Sequence, residues 1–379
     1  MSLSLKQVFG KIIFIAGCLY SAVYLLSCCT PYISPEIWSG FTFLALSFPI
    51  LLAIMLLWFL IVITIYRKFI WIFLLIIFAG SKNIFSTIAF NTPKDFVQKK
   101  QDDAIRILSW NVRDFIDSQK VNDTPGSIRS KMMTFIQQSD ADVLCLQDFQ
   151  EHTSKDFLSC INDISQKLNY PYHYFSKDLE VQLYYAYLQY GTIVFSRYPI
   201  VDSGRTVYFK NKISESIAYA DIKKGNDTVR FFNTHLQSMY LGLQMTEEAM
   251  ADVFIKDELD FLTKNLDKYS RLKHYDKQHI KQAKVAKAAL NKSKHPFIFC
   301  ADLNSVPSSY TYHILRKGLQ DAFIKKGFGV EATYSEISPT LRIDVVFTDK
   351  NIQPLQYYSP RFLASDHYPV IVDVKIKKE

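Results

Sequence analysis

The hydrophobic pattern divides the chain at about residue 90. Residues 12–29, IIFIAGCLYSAVYLLSCC, carry no charge. Residues 37–66 contain no Asp, Glu, Lys or Arg, and 41–66 are almost wholly apolar. A bilayer core about 30 Å thick needs about 20 apolar helical residues, so both stretches predict transmembrane helices. A third run begins at 69 and meets Lys82 early. It is long enough to span only if it continues to Phe90 with the lysine snorkelling outward. The competing readings are buried soluble helices and, for the first run, a signal segment, since LLSC at 25–28 resembles a lipoprotein cleavage site.

Beyond residue 90 the pattern changes. Residues 91–103, NTPKDFVQKKQDD, are polar and read as a linker. Short apolar runs then recur at 104–110, 141–147, 190–197, 228–236, 296–303, 342–348 and 369–374. Their length and flanking turn residues predict strands. Several do not alternate, as expected where both faces of a sheet are covered. Residues 128–138, IRSKMMTFIQQ, read as a helix. The expected fold is an α/β four-layered sandwich: two packed β-sheets flanked by helices, preceded by transmembrane helices. The expected organisation is a membrane unit over 1–90 with spans near 12–29, 41–66 and 69–90, a linker over 91–103, and a globular domain over 104–379.

Charge adds orientation. Lys6 and Lys11 precede the first span, Arg67 and Lys68 follow the second, and residues 30–40 hold no Lys or Arg. Basic residues stay on the cytoplasmic side, so three spans place the globular domain outside the cytoplasm. From Lys264 to Lys294 there are ten basic and two acidic residues, and the remaining 34 basic and 34 acidic residues cancel. That segment therefore carries the whole formal charge of +8. Ile280, Ala283, Ala286 and Leu290 share one helical face, with Lys273, Lys277, Lys281 and Lys284 beside it. The segment is either a solvated helix face or a surface for an anionic partner, a phosphate-rich molecule or lipid head groups. Six cysteines show neither a disulfide framework nor a metal-ligand spacing.

Polar residues at strand ends carry the candidate chemistry. Asn111 ends the first strand, Asp148 the second, and His235 lies in the fourth. Asp302 and Asn304 stand two apart in CADLNS, where strand alternation would place them on one face. Asp344 follows Arg342, and Asp366 and His367 precede the last strand in SDHYP. Any one of them alone reads as a turn residue or a satisfied core histidine. Together they offer carboxylates and an amide oxygen for a hard cation such as Mg²⁺, and imidazoles for proton transfer to phosphoesters. No GxSxG motif and no phosphate-cradling glycine loop is present.

The ordered set WNVRDF, DVLCLQDF, GTIVFSRYPI, NTHLQS, CADLNSVP, RIDVVF and SDHYPV resembles the endonuclease/exonuclease/phosphatase superfamily, in a membrane-tethered bacterial branch, over residues 104 to 375. The resemblance implies a Mg²⁺- or Mn²⁺-dependent phosphoesterase, multi-pass in the bacterial inner membrane with the catalytic domain extracytoplasmic. Its substrate would be nucleic acid, a phospholipid head group or a phosphorylated small molecule. Asn111 would help hold the metal or orient an acidic ligand, and Asp148 and Asp366 would serve the metal. His235 would bond a phosphate oxygen, and Asp302 would orient or deprotonate the attacking water. Asn304 would stabilise the transition state, and Asp344 would fix the tautomer of His367, a base or phosphate ligand. Asp148 stands where the family usually has a glutamate. Its carboxylate is withdrawn by about 1.5 Å unless the backbone shifts. Glu151, on the opposite strand face, is no replacement. A catalytically inactive domain of the same fold, kept as a scaffold, is the alternative that this departure opens.

Overall fold

The computed structural model describes residues 5–115, 126–153, 158–183, 186–210, 215–239, 264, 267–336 and 338–377. Two of the expected spans form long helices, α1 (Leu5–Cys28) and α2 (Gly40–Ile65). Both are apolar enough to cross a bilayer over Gly10–Cys28 and Gly40–Ile65. The third run is not one straight helix. Helices α3 (Ile70–Ala79) and α4 (Ser81–Thr87) meet at a 55° bend, and residues 88–90 form strand β1 instead of extending the span. The bend lies at Gly80, where a Cβ would collide with the Tyr24 hydroxyl. Tyr24, Phe48, Leu52, Met55 and Phe73 form the buried seam of this helical unit.

The globular part has two six-stranded sheets. The first runs β13 (Ile352–Tyr358), β14 (Val370–Ile376), β2 (Ile105–Asn111), β3 (Val143–His152), β5 (Ala186–Ser196), β4 (Tyr172–Leu183). The second runs β10 (Gln320–Asp321), β12 (Asp344–Thr348), β9 (Phe297–Asp302), β8 (Asp227–His235), β7 (Ser216–Lys224), β6 (Ile200–Val207). Each contains one parallel pair, β2 with β3 and β8 with β9. The lack of alternation in β2 now has its cause. Ile105 and Ile107 enter the core between the sheets, while Leu108 and Trp110 pack outward against helix Ile128–Ser139. On the second sheet Phe299 and Phe347 face helices Lys268–Asn291 and Tyr310–Arg316. The order helix, sheet, sheet, helix is the four-layered sandwich expected. The six cysteines are free, with Cys145 and Cys300 inside the inter-sheet core.

Toward one end of the inner space the apolar core gives way to polar side chains. Asn233 of β8 reaches across the gap, donating to the carbonyls of Leu146 and Ile193, each at 3.0 Å. Its amide oxygen accepts from Gln147 Nε2 at 2.7 Å. A bulge in β3 between Leu146 and Phe149 interrupts the ladder there, and the Asn233 amide bonds the carbonyls beside it.

The helical unit docks on this sandwich. Thr30 Oγ1 donates to the Ser308 carbonyl at 2.7 Å, and Ser308 Oγ donates to the Ala45 carbonyl at 2.7 Å. Thr42 bonds Asp276 of helix Lys268–Asn291, whose Tyr269 stacks on Phe43 at 5.4 Å. Strand β1 pairs with β11 (Phe328–Val330), and buried Arg342 donates to the Ser86 carbonyl at 2.9 Å. Residues 91–103 form neither helix nor strand but are tied down. Arg106 bonds the Val97 and Gln98 carbonyls, Phe96 stacks on Tyr358, and Lys100 pairs with Asp142.

One test of the inter-sheet link follows. Asn233→Ala strips the Leu146 and Ile193 carbonyls of a buried partner. Unfolding of the detergent-solubilised chain in urea should show a loss of about 2–3 kcal/mol. An unchanged midpoint would mean that the two sheets do not depend on this amide.

Candidate active site

Strand register assembles the site. His235 ends β8 opposite Asp302, which ends β9 opposite Asp344, the first residue of β12. Three titratable groups thus stand side by side at the spacing of adjacent strands, about 4.8 Å. Each continues an inward-facing column below it: Phe231 and Asn233 under His235, Cys300 under Asp302, Val346 over Asp344. From the first sheet Asn111 ends β2 in the same manner, above Ile107 and Ser109. His367 comes from the loop before β14. Its carbonyl accepts from Trp110 Nε1 at 2.9 Å, and Tyr334 bridges to it in a strand-like contact.

Asp302 is the hub. It is 0 % exposed. Its Oδ2 accepts from Asn111 Nδ2 at 2.9 Å and lies 3.5 Å from His235 Nε2 and 3.7 Å from His367 Nε2. Its Oδ1 accepts from the Asn304 backbone N–H at 2.9 Å. Burial alone would neutralise the carboxyl, but His367 and His235 outweigh it and hold its pKa below the usual range. Asn304 reaches the site by a turn instead of strand alternation. It lies beyond the end of β9 with φ at +45°, and its Nδ2 donates to the Leu236 carbonyl at 2.8 Å and lies 3.1 Å from His235 Nε2. Burial opposes charge on His235 too, yet Asp302, Asp148 and Glu215 raise its pKa.

The second pair is His367 with Asp344, Nδ1 to Oδ2 at 2.9 Å. Against its burial, Asp344, Asp302 and Asp366 push the His367 ring up to about 10. Asp344 Oδ1 is buried with no hydrogen-bond partner among the described residues. Asp302, Asp344 and His367 each bring one ligand atom within 4.8 Å of the others.

Asp148 sits in the β3 bulge with φ at +49°, half-buried. Burial first, then the charges of Asp366 and Asp302, raise its pKa against the pull of His235 and His367. Glu151 is turned away and accepts from the Ile161 N–H at 2.8 Å. Asp366 takes a bond from Ser365 Oγ at 3.2 Å and lies 3.6 Å from Arg113. Both amide atoms of Asn111 are engaged, one on Asp302 and one on the Arg113 N–H. Asn111 therefore positions Asp302 in this arrangement. Among the described residues the ligand atoms that lie within 4.8 Å of one another are those of Asp302, Asp344 and His367, while Asp148 feels the charges of Asp366 and Asp302 from further off; carboxylates of this number fit a hard divalent cation. The orphaned Asp344 oxygen marks further unmet demand in the same cleft.

Sequence reasoning missed the supports. Asp178, in a bulge of β4, accepts from Ser216 Oγ at 2.6 Å, faces Arg205 at 3.3 Å and feels the charge of His235. Burial lifts its pKa to about 6. His279 bonds Ser305 Oγ at 3.1 Å and the Gln237 carbonyl at 2.7 Å, and burial lowers its pKa to about 4. Nothing in the linear pattern around Asp178 marks it. His279 carries a signal in hindsight, a histidine on the apolar face of a basic helix.

A family model described as the endonuclease/exonuclease/phosphatase family matches residues 108–367. A second model, described as a domain of unknown function (DUF8431), matches residues 10–87. No curated protein matches the chain. Among solved structures, an endonuclease/exonuclease/phosphatase from Beutenbergia cavernae is 15 % identical with a TM-score of 0.51, covering 73 % of this chain and 72 % of that one. One from Bacteroides vulgatus is 14 % identical with a TM-score of 0.50, covering 72 % and 99 %. At such identities the likeness is one of fold.

The His367–Asp344 contact predicts a titration. Asp344→Asn removes the carboxylate that most raises the ring, so the His367 pKa should fall from about 10 toward the ordinary histidine value. Histidine-selective NMR of the full chain in detergent measures this. An unmoved resonance would detach the pair from the ring's charge.

Proposed function

We propose that this chain, which belongs to the endonuclease/exonuclease/phosphatase family, hydrolyses a phosphoester with a bound Mg²⁺ or Mn²⁺ ion from a membrane anchor. One observation carries the reading: a fully buried carboxylate, Asp302, kept charged by two imidazoles and two asparagines at the end of a rigid sandwich. Burying a lone charge is costly, so such a cluster is seldom retained for packing alone. Asp148, Asp366 and, through Asp302, Asn111 would hold the metal, which neutralises phosphate charge when bound.

Substrate has to part the Asn304–His235 contact, because Asp302 is closed to solvent. His235 and the Asn304 amide then take phosphate oxygens. Asp302 accepts a proton from the attacking water. Water oxygen bonds to phosphorus, the P–O bond to the leaving group breaks, and the leaving oxygen takes up a proton. With its pKa raised and its Nδ1 held on Asp344, His367 serves as a cationic phosphate ligand and proton donor in preference to a base. The scaffold alternative rests on Asp148, and the otherwise complete set of Asn111, His235, Asp302, Asn304, Asp344 and His367 around one cleft speaks against it.

The docking contacts support the three-span topology. The α1–α2 connection, through Thr30, and strand β1 both touch the catalytic unit, so they share one side. Lys6, Lys11, Arg67 and Lys68 belong to the other, which is the cytoplasmic side by the distribution of basic residues.

Three outcomes are expected. Asp302→Ala and His367→Ala each lower metal-dependent kcat/KM by about 10²–10⁴-fold while the circular dichroism spectrum is kept. Asp148→Ala raises the Mg²⁺ concentration for half-maximal rate, and Asp148→Glu preserves activity. Wild type and Asp302→Ala equally inert on nucleic acids, phospholipids and phosphosugars would favour the scaffold, and equal activity would mean a wrong site. Protease added to intact spheroplasts should remove the catalytic unit, and cleavage only after lysis would place that unit in the cytoplasm.

A further inference from the structure

The helical unit grips the catalytic unit at the end that holds the site. Ser308, bonded to Thr30 and Ala45, lies four residues after Asn304. At about 3.8 Å per residue the two are at most about 15 Å apart. Arg342, bonded to Ser86, lies two residues before Asp344. Asp276, bonded to Thr42, lies about one helical turn before His279, which supports Ser305 beside Asn304. Thr30 and Thr42 mark the ends of α1 and α2 where those helices leave the bilayer in the reading above. These contacts therefore put the site at the end of the sandwich that faces the helical unit, not at its far end.

The surface at that level is suited to lipid. Tyr32, Ile37 and Trp38 in the connection between α1 and α2 are 63 %, 78 % and 51 % exposed. Aromatic side chains of this kind settle at the membrane–water interface. On helix Lys268–Asn291, whose Tyr269 and Asp276 touch α2, Lys273, Lys281 and Lys284 are exposed. Lys273 and Lys281 offer charge to anionic head groups, while Lys284 lies 3.9 Å from Glu36 of the connection between α1 and α2. This accounts for the basic segment, whose apolar face is spent on the core.

We infer that the substrate is the phosphoester head group of a lipid lying in the same bilayer as α1 and α2, presented sideways to the cleft of Asp302, Asn304 and His367. The inference rests on the phosphoesterase and membrane readings above, and the bond broken is the same P–O bond. The cleft needs no long-range capture of a soluble ligand. The helical unit supplies substrate by confinement, which raises its effective concentration.

The test uses the full chain in nanodiscs with Mg²⁺. Bilayers of phosphatidylglycerol, phosphatidylethanolamine, phosphatidylinositol or sphingomyelin are each compared with the same head group lacking its chains, and with single-stranded DNA. Mass spectrometry of both products reads the rates. At least one lipid should be cleaved about 10²-fold faster than its soluble counterpart. Hydrolysis of soluble phosphoesters or DNA at rates equal to or above those on every lipid overturns the inference and leaves the phosphoesterase standing. No hydrolysis of anything, with or without metal, overturns both.

Discussion

An ionised carboxylate sealed from water is the constraint on which the rest of the structure depends. Asp302 stays charged only because donors and cations reach it from every side: Asn111 from one sheet, His235 and Asn304 from the other, His367 from the last loop. No single element could deliver these. The two sheets must be packed in one register, and the strands must end together. The polar link of Gln147 and Asn233 beneath the site, and the apolar core beneath that, serve this alignment. A slip of one residue in β9 would turn Asp302 outward and place Ala301 in the cleft.

The site residues were legible because each lies beside an apolar strand core that fixes where it ends. Asn111, His235, Asp302, Asp344 and His367 converge as their strand-end positions suggested. Asn304 converges for another reason, a left-handed turn that strand alternation does not describe. The sandwich was legible for most central strands, whose two covered faces make continuous apolar runs, but not for interior β7, whose run SIAYADIKK is broken by polar residues. Strands β4, β6 and β13 were not, since edge strands face solvent and their residues read as ordinary polar surface; β6 is mostly exposed along its length. Asp178 was invisible, and His279 hard to single out, for a related reason. Their importance lies in what they touch, Ser216 and Ser305, and those partners are distant in sequence. The third apolar run gives no sign of its bend, because composition does not register that Gly80 lies close to Tyr24.

The coupling of the helical unit to the catalytic unit is polar where it is closest to the site. Thr30, Thr42, Ser86 and Ser308 contribute hydroxyls or carbonyls, with Asp276 and Arg342 as charged partners. Bonds of this kind fix orientation more than they add stability, because each replaces a bond to water and nets only about 1 kcal/mol. The helices are thus held in one orientation against the globular unit. A tethered domain on a slack linker would lack that orientation. Here residues 91–103 are held against the sandwich by Arg106, Gln356 and Asp142.

The most direct test of the central claim is hydrolysis by the full chain in oxygen-18 water with Mg²⁺. A cleft in which Asp302 manages a water attacking phosphorus predicts one heavy oxygen in the phosphate-bearing product and none in the alcohol, with the signal lost in Asp302→Ala. Label in the alcohol, or incorporation that survives Asp302→Ala, would contradict it.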